Sequence, residues 1–362
     1  MSYLKKVFTK KQIVWLIVTG AVLILFFINL AIGVGLSKTQ NVQISADRWD
    51  SKGEHAMLTV FFSDMAYATE DTMKELSFNI DEGLDKEAIS AANDNARRKV
   101  DGYSSTGKIS VASDTSTQEV KAYGVGGDYF LMHPLKMLSG SYFDGNDVMQ
   151  DHIILDNDTA WLLYGSYNIV GKSVWIGDKL HIVSGVYERD KGRLNDLAGN
   201  NEATAYISYE SLAAAMGGDA PINCYEVLMP NPVSGFAEKI VKDAIHFEEN
   251  RFTIVQNTGR FHWTKLIKNV GAFGSRSMNG KSILYPYWEN MARGLEDIIT
   301  PFVVIGLLLF IFVVANIIVL LARMWKNREI HSSDIKNYLE RRLEIYREKK
   351  REMKKPEGGE YL

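Results

Sequence analysis

The sequence predicts an α+β extracytoplasmic domain flanked by two transmembrane helices, and three observations carry that prediction. Residues 13–36 form a run of 24 without a charge and residues 298–322 a run of 25; at about 1.5 Å rise per residue, either crosses a hydrocarbon core of ~30 Å as a helix. Basic residues sit directly outside both runs. Between them, strand-like and helix-like patterns alternate in two similar units separated by a turn-rich, β-leaning region. With 362 residues, 46% hydrophobic and 23% charged, the composition is that of a globular protein carrying spans.

Residues 1–12 hold Lys5, Lys6, Lys10 and Lys11, and residues 13–36 are the first expected span. The apolar core is longer than the ~7–15 residues of a signal-peptide h-region and no A-x-A site follows, so the segment reads as an uncleaved anchor. Arg323, Lys326 and Arg328 follow the second span at 298–322. The excess of lysine and arginine outside both spans places both termini in the cytoplasm of a two-pass plasma-membrane protein, with the main domain outside. Charge agrees: residues 1–36 carry four lysines and no acid, the tail 323–362 carries twelve basic and eight acidic residues, and the chain's net −3 leaves −11 for residues 37–297. An acidic exterior excludes nucleic acid as its partner. Asn29 and Asn316 are the strongly polar residues inside the spans, which makes them candidate helix-to-helix contacts in lipid.

Within the exterior domain, 37–297, "HAMLTVFFS" (55–63) reads as a buried strand. Residues 69–84 read as a helix with Met73, Leu76, Phe78 and Ile80 at apolar positions, and "GKISVAS" (107–113) as a second strand. At the far end, 224–229 is strand-like, Phe236, Ile240, Val241 and Ile245 mark a helix face, and "RFTIVQ" (251–256) closes the unit as a strand. The central region, 120–210, reads as a β-rich insertion between the two halves; in it Asp156 or Asp158 caps a short helix carrying Ala160, Leu162 and Leu163.

Two stretches approach a nucleotide-binding P-loop: Gly165 with Gly171-Lys172-Ser173, and "GSRSMNGKS" (274–282). A P-loop needs four residues between its first glycine and the Gly-Lys pair so that successive backbone N–H groups cradle a phosphate ahead of a helix. Both stretches have five, and "SVWIG" after the first reads as a strand, so a turn is expected.

One series of motifs carries a resemblance. Gly124-Val125-x-x-Asp128-Tyr129-Phe130 is followed by Leu138-x-Gly140-x-x-Phe143, Leu155-x4-Ala160-x-x-Leu163-x-Gly165, Val170-Gly171-Lys172 and Val183-x-Gly185-Val186. This order resembles the periplasmic core domain of MacB-type ABC transporter permeases, the FtsX-like group. The resemblance covers most of 120–186. It implies a first helix, a split α/β porter-like part with an inserted β-rich part, and a second helix; it also implies that the Val-Gly-Lys segment is a turn into a strand. Members of that group carry two further helices and a cytoplasmic coupling element that meets the ATPase. The two spans here imply an accessory or degenerate permease subunit, acting in transport or mechanotransmission with an ABC ATPase subunit and either a four-helix permease or further copies of this chain. A periplasmic or extracellular adaptor is a further expected partner. No cofactor is expected in this chain itself, ATP belonging on the partner subunit.

On this reading the exterior contacts fall in the insertion, around Tyr129, Phe130 and Phe143. The cytoplasmic docking strip lies in the helix-forming tail segment 334–355, where Ile335, Tyr338, Leu339, Leu343 and Tyr346 recur near one face. Trp288, in "YPYW" ahead of the second span, reads as an anchor in the headgroup layer. Enzyme chemistry finds no foothold. The seven histidines are scattered without metal-ligand spacing, there is no G-x-S-x-G elbow, and the single Cys224 lies in a strand-like segment where a small buried residue is commoner than a nucleophile. The competing reading is a membrane-anchored sensor or adaptor whose exterior domain binds a peptide or envelope ligand.

Overall fold

The computed structural model describes residues 10–40, 42–50, 52–91, 93, 96–144, 148–218, 220–273, 276, 285–326, 337 and 339–348. The lysines before residue 10, almost all of 274–284 and the ends of the tail, Tyr338 and Ile335 included, lie outside them. The chain forms two compact units: residues 34–301, and the apolar helical segments up to Gly33 and from Phe302.

The exterior unit is built on one ten-stranded sheet. Its strands are β1 (His55–Phe62), β2 (Val100–Ala112), β3 (Thr117–Gly127), β4 (Lys136–Gly140), β5 (His152–Asp156), β6 (Ser173–Ile176), β7 (Lys179–Glu188), β8 (Thr204–Ser208), β9 (Cys224–Pro230) and β10 (Phe252–Gln256). The helices are α1 (Lys10–Ser37), α2 (Ser45–Trp49), α3 (Glu70–Lys86), α4 (Tyr129–Met132), α5 (Asn157–Tyr164), α6 (Arg193–Leu197), α7 (Tyr209–Ala215), α8 (Phe236–Ala244), α9 (Trp263–Lys268) and α10 (Tyr287–Lys326).

Strand order is β10-β1-β9-β2-β3-β8-β5-β7-β4, with β6 against β2 and β7. The first four, β10-β1-β9-β2, are all antiparallel. They are joined as β1-α3-β2 and β9-α8-β10, the split β-α-β arrangement in which each helix crosses over a strand from the other half. The connection from β2 to β9 carries everything from β3 to β8. That insertion continues the sheet: the long ribbon β2–β3 runs from Gly102↔Gly127 to Ala112↔Thr117, and β3 then pairs parallel with β8. The fold is the α+β class expected, a split α/β part with a β-rich part between its halves.

Sequence pattern explains the two layers. On α3, Met73, Leu76, Ile80 and Leu84 fall at helical spacing and are buried against one sheet face, together with Ile240 and Val241 of α8. Phe78, expected on that face, is two residues out of step with both Leu76 and Ile80 and is exposed on the outer side. Caps fix where helices start: Thr69 N–H donates to Thr72 Oγ1 at 2.7 Å ahead of α3, and Asp156 Oδ1 accepts from Thr159 N–H at 2.7 Å ahead of α5. The opposite sheet face is covered by α2, α4 and the start of α10, over an aromatic layer containing Tyr123, Tyr129, Tyr187, Tyr206 and Trp288.

In the helical unit, Asn29 Nδ2 donates to Phe302 O at 2.8 Å, a bond between α1 and α10. Gly306 sits beside it, where a Cβ would come within 3.0 Å of Asn29 Nδ2. The Asn316 amide instead donates to Phe312 O, one turn back in its own helix. Asn29 is thus the cross-helix contact of the two, and Asn316 satisfies its donor locally, as a helical amide does when no partner backbone approaches.

Gly140, from the motif series, shows why one residue type is needed there. Its φ is +74° and an added Cβ would meet Ser184 O at 2.1 Å and Gly185 Cα at 2.8 Å. Gly140→Ala is expected to destabilise the exterior domain by about 2–3 kcal/mol, read as a lower chemical-denaturation midpoint, whereas Gly165→Ala, where an added Cβ meets nothing within 4 Å, costs less.

Candidate functional site

The site is the seat of α10 on the sheet. Sequence places "WENMARGLED" just before the second apolar run, which puts Glu289, Arg293 and Glu296 at i, i+4 and i+7 on one helix face. The structure turns that face inward: Trp288, Glu289, Ala292, Leu295, Glu296, Ile299 and Thr300 are all buried. Arg260, from the turn after β10, reaches into it. Its Nη1 and Nη2 hold the two Glu289 carboxylate oxygens at 2.5 and 2.9 Å, a bidentate pair, and its Nε donates to Glu296. Arg293 Nε donates to Glu289 Oε1 at 2.5 Å, and Arg276 pairs with Glu296 at 2.6 Å and with Asp297 at 3.4 Å. Three guanidinium groups thus balance three carboxylates.

Burial decides the character of this network. Arg260 is 6% exposed, Glu289 1% and Glu296 3%. Burial alone would push the Glu289 carboxyl up, but the charges and hydrogen bonds of Arg260 and Arg293 hold it below the ordinary carboxylate range. Burial works against the Arg260 cation in the same way, and Glu289 and Glu296 overcome it. The Arg293 guanidinium also lies 3.8 Å from the Tyr285 ring centroid.

A chain of polar contacts leads from this seat through the sheet. Arg260 Nη1 donates to Asn257 Oδ1 at 3.4 Å, Asn257 Nδ2 to Thr59 Oγ1 at 2.8 Å, and Thr59 Oγ1 to Glu226 Oε1 at 3.0 Å. Glu226 Oε2 meets His133 Nε2. The His133 ring stacks on Tyr129 at 4.3 Å and lies 4.7 Å from Trp288, so the chain returns to α10 through its first turn. Strands β1 and β9 and helix α4 are therefore tied to the start of α10 by both ends of one buried series.

The exterior residues selected from sequence sit within this core. Tyr129 and Phe143 are buried and Phe130 is half-buried, stacked on Tyr142 with ring centroids 4.8 Å apart. As surface contacts Tyr129 and Phe143 are corrected, both being buried in the aromatic layer, where α4 folds the Asp128-Tyr129-Phe130 turn back over the sheet; Phe130 keeps part of its ring exposed. Trp288 is corrected too. It is 4% exposed and packs 5.4 Å from Tyr123, because α10 begins well before the apolar run and its first turn belongs to the domain core. Exposed apolar side chains occur instead at the β4–β7 end. Trp161 and Leu162 of α5, with Tyr167 and Val170, project outward there, Trp161 lying 5.5 Å from Tyr167 and Tyr167 O accepting from Ser139 Oγ. In the tail, Leu339, Leu343 and Tyr346 are helical and exposed.

The Gly171-Lys172 segment is a turn into β6. Gly171 N–H donates to Val183 O at 2.8 Å and Lys172 N–H to Ile169 O at 3.0 Å, so these amides are engaged by backbone rather than aimed at a phosphate. Cys224 is buried, and burial together with nearby Glu226 raises its thiol, which keeps it protonated. Among the described residues no group of three His, Cys, Asp or Glu side chains converges as a metal centre.

A family model described as the MacB-like periplasmic core domain matches residues 17–235. The chain is similar to the macrolide export ATP-binding/permease protein MacB of Pasteurella multocida (strain Pm70), with 22% identity over 138 residues, 37% of this chain and 21% of that protein. It therefore spans about a fifth of that relative's length. Among solved structures it is similar to the periplasmic region of MacB from Actinobacillus actinomycetemcomitans, at 17% identity, covering 56% of this chain and 88% of that one with a TM-score of 0.40. It is also similar to the extracellular domain of the noncanonic ABC-type transporter YknZ from Gram-positive bacteria, at 15% identity, 55% and 99% coverage and a TM-score of 0.36.

Arg260→Ala leaves Glu289 and Glu296 buried with much of their countercharge removed, and the expected loss is about 3–5 kcal/mol of domain stability, measured by denaturation of the full chain in detergent. Acid gives a second check. Because the Glu289 carboxyl is held below its ordinary value, its stabilising contribution is complete above the unfolded pKa and is lost as pH falls through the depressed folded value. Stability is expected to hold from pH 7 to 5, so far as this group sets it, and to fall only below about pH 4.5, more shallowly in Glu289→Gln.

Proposed function

Because the chain belongs to the family defined by the MacB-like periplasmic core domain, whose model covers more than half of it, we propose that it is a non-enzymatic membrane subunit of an ABC-transporter-type machine. Its task is to pass movement between the membrane and the extracytoplasmic domain. The observation that carries this reading is the seat of α10. A helix that goes on to supply an apolar run of membrane-spanning length starts inside the domain, where Arg260 pairs with Glu289 and Glu296. Separating a buried guanidinium from its carboxylates costs several kcal/mol, so the start of α10 and the sheet respond to force as one body.

ATP, on this reading, is bound by an ATPase outside these 362 residues, as the ATP-binding/permease name of the Pasteurella relative suggests for the family. A four-helix permease or a second copy of this chain completes the membrane part. Both termini are cytoplasmic, as the lysines before the first span and the arginines after the second favour. The tail strip of Leu339, Leu343 and Tyr346 docks on a partner there. Outside, the exposed cluster of Trp161, Leu162, Tyr167 and Val170 is the surface offered to a periplasmic or extracellular adaptor.

Gentle detergent extraction of the tagged protein, followed by mass spectrometry of what travels with it, tests the proposal. Recovery of an ATP-binding subunit is the expected result. Recovery as a stable homo-oligomer without any ATPase, or with a kinase, contradicts it and favours a membrane-anchored sensor.

A further inference from the structure

The two apolar helices enclose a cleft of about 190 Å³ near the start of α1 and the end of α10. Gln12, Trp15, Leu16 and Thr19 line it from α1, at i, i+3, i+4 and i+7; Asn316, Val319, Leu320 and Arg323 line it from α10 at the matching spacing, with Ile317 beside them. The helices run antiparallel here, as the Asn29–Phe302 bond and the Phe26–Phe310 ring contact at 5.9 Å require. Gln12 therefore lies at the level of Arg323, and Thr19 at the level of Asn316, about 10 Å further in. Each wall carries an outer polar group, an apolar middle and an inner polar group.

Charge and depth identify what fits. Arg323 is the first charged residue after the apolar run, and among the described residues no salt bridge engages it. Lys10, Lys11 and Lys326 lie at the same ends, while residues 1–46 and 298–328 contain no Asp or Glu. A planar guanidinium beside an amide is the donor set that a phosphate oxygen pair accepts, and Trp15 is the side chain that settles at the depth of lipid headgroups. Leu16, Ile317 and Val319 are exposed along the cleft and offer the apolar wall an acyl chain needs.

We infer that this cleft is a binding site for the headgroup phosphate of an anionic membrane phospholipid, held by Arg323 and Gln12 with its acyl chains along Leu16, Val319 and Leu320. The site rests on the membrane-spanning reading of α1 and α10. It differs from diffuse attraction to an anionic surface because it needs the geometry of one arginine, whereas the neighbouring Lys326 contributes only charge.

The test is native mass spectrometry of the full chain released from detergent with added phosphatidylglycerol or phosphatidylcholine, preceded by carbonate extraction of the membranes. Carbonate-resistant chain that retains phosphatidylglycerol in preference to phosphatidylcholine is expected. Arg323→Gln should lower that retention roughly tenfold, Arg323→Lys should lower it partly, and Lys326→Gln should leave it within about twofold. Equal losses in Arg323→Gln and Lys326→Gln overturn the site in favour of diffuse surface charge. Unchanged lipid retention in Arg323→Gln, with loss of a co-purifying membrane protein, overturns it in favour of a partner helix. Chain released by carbonate defeats the membrane-spanning reading itself, an outcome separate from any loss of lipid by a chain that stays in the membrane.

Discussion

The buried guanidinium of Arg260 is the constraint on which the rest of the exterior domain depends. It lies between Glu289 and Glu296 at a depth where an unpaired charge costs several kcal/mol, so the turn after β10 and the first turns of α10 have one acceptable arrangement. Apolar side chains of similar volume would hold the helix at least as tightly, but they would tolerate sliding and rotation. Bidentate pairing does not, because both oxygens of Glu289 must be met at once. The polar series through Asn257, Thr59, Glu226 and His133 spreads that requirement over β1, β9 and α4.

The sheet makes this possible by being continuous. The insertion is an extension of the β2–β3 ribbon rather than a separate module, and its face carries Tyr123, Tyr129, Tyr187 and Tyr206 under the start of α10. Two layers of different chemistry result. The α3–α8 side is aliphatic and packs by helical periodicity, while the α10 side is aromatic with polar tips. Burial raises the phenols of this layer well above their ordinary value, so they stay neutral and serve as packing surface.

What could be read from sequence followed local rules. The two apolar runs, the strands at β1, β6, β9 and β10, the helices α3 and α8, and the turn at Gly171 all announce themselves by period or by turn chemistry. The motif series falls on β3 to β7, within the segment that joins β2 to β9. The seat was not legible, because Arg260 and Glu289 are 29 residues apart and meet only once β10 has joined the sheet. Its one local signal was a pair of carboxylates and an arginine at i, i+4 and i+7 ahead of a membrane run, charges that water or headgroups would serve equally well. Aromatic residues misled for a related reason: Tyr129 and Phe143 stand beside glycine and aspartate in turn-like contexts, and only the fold-back of α4 shows that they face inward. Asn29 and Asn316 were indistinguishable in sequence; a glycine at position 306 opposite one of them made the difference.

The central claim is that the start of α10 and the sheet form one mechanical body. Amide hydrogen exchange of the full chain in lipid nanodiscs measures this directly. The account predicts that the amides of residues 289–300 open with the same free energy as those of β1 and β9. Faster exchange in 289–300 than in the two strands would contradict it, since the helix would then leave its seat while the sheet stayed folded.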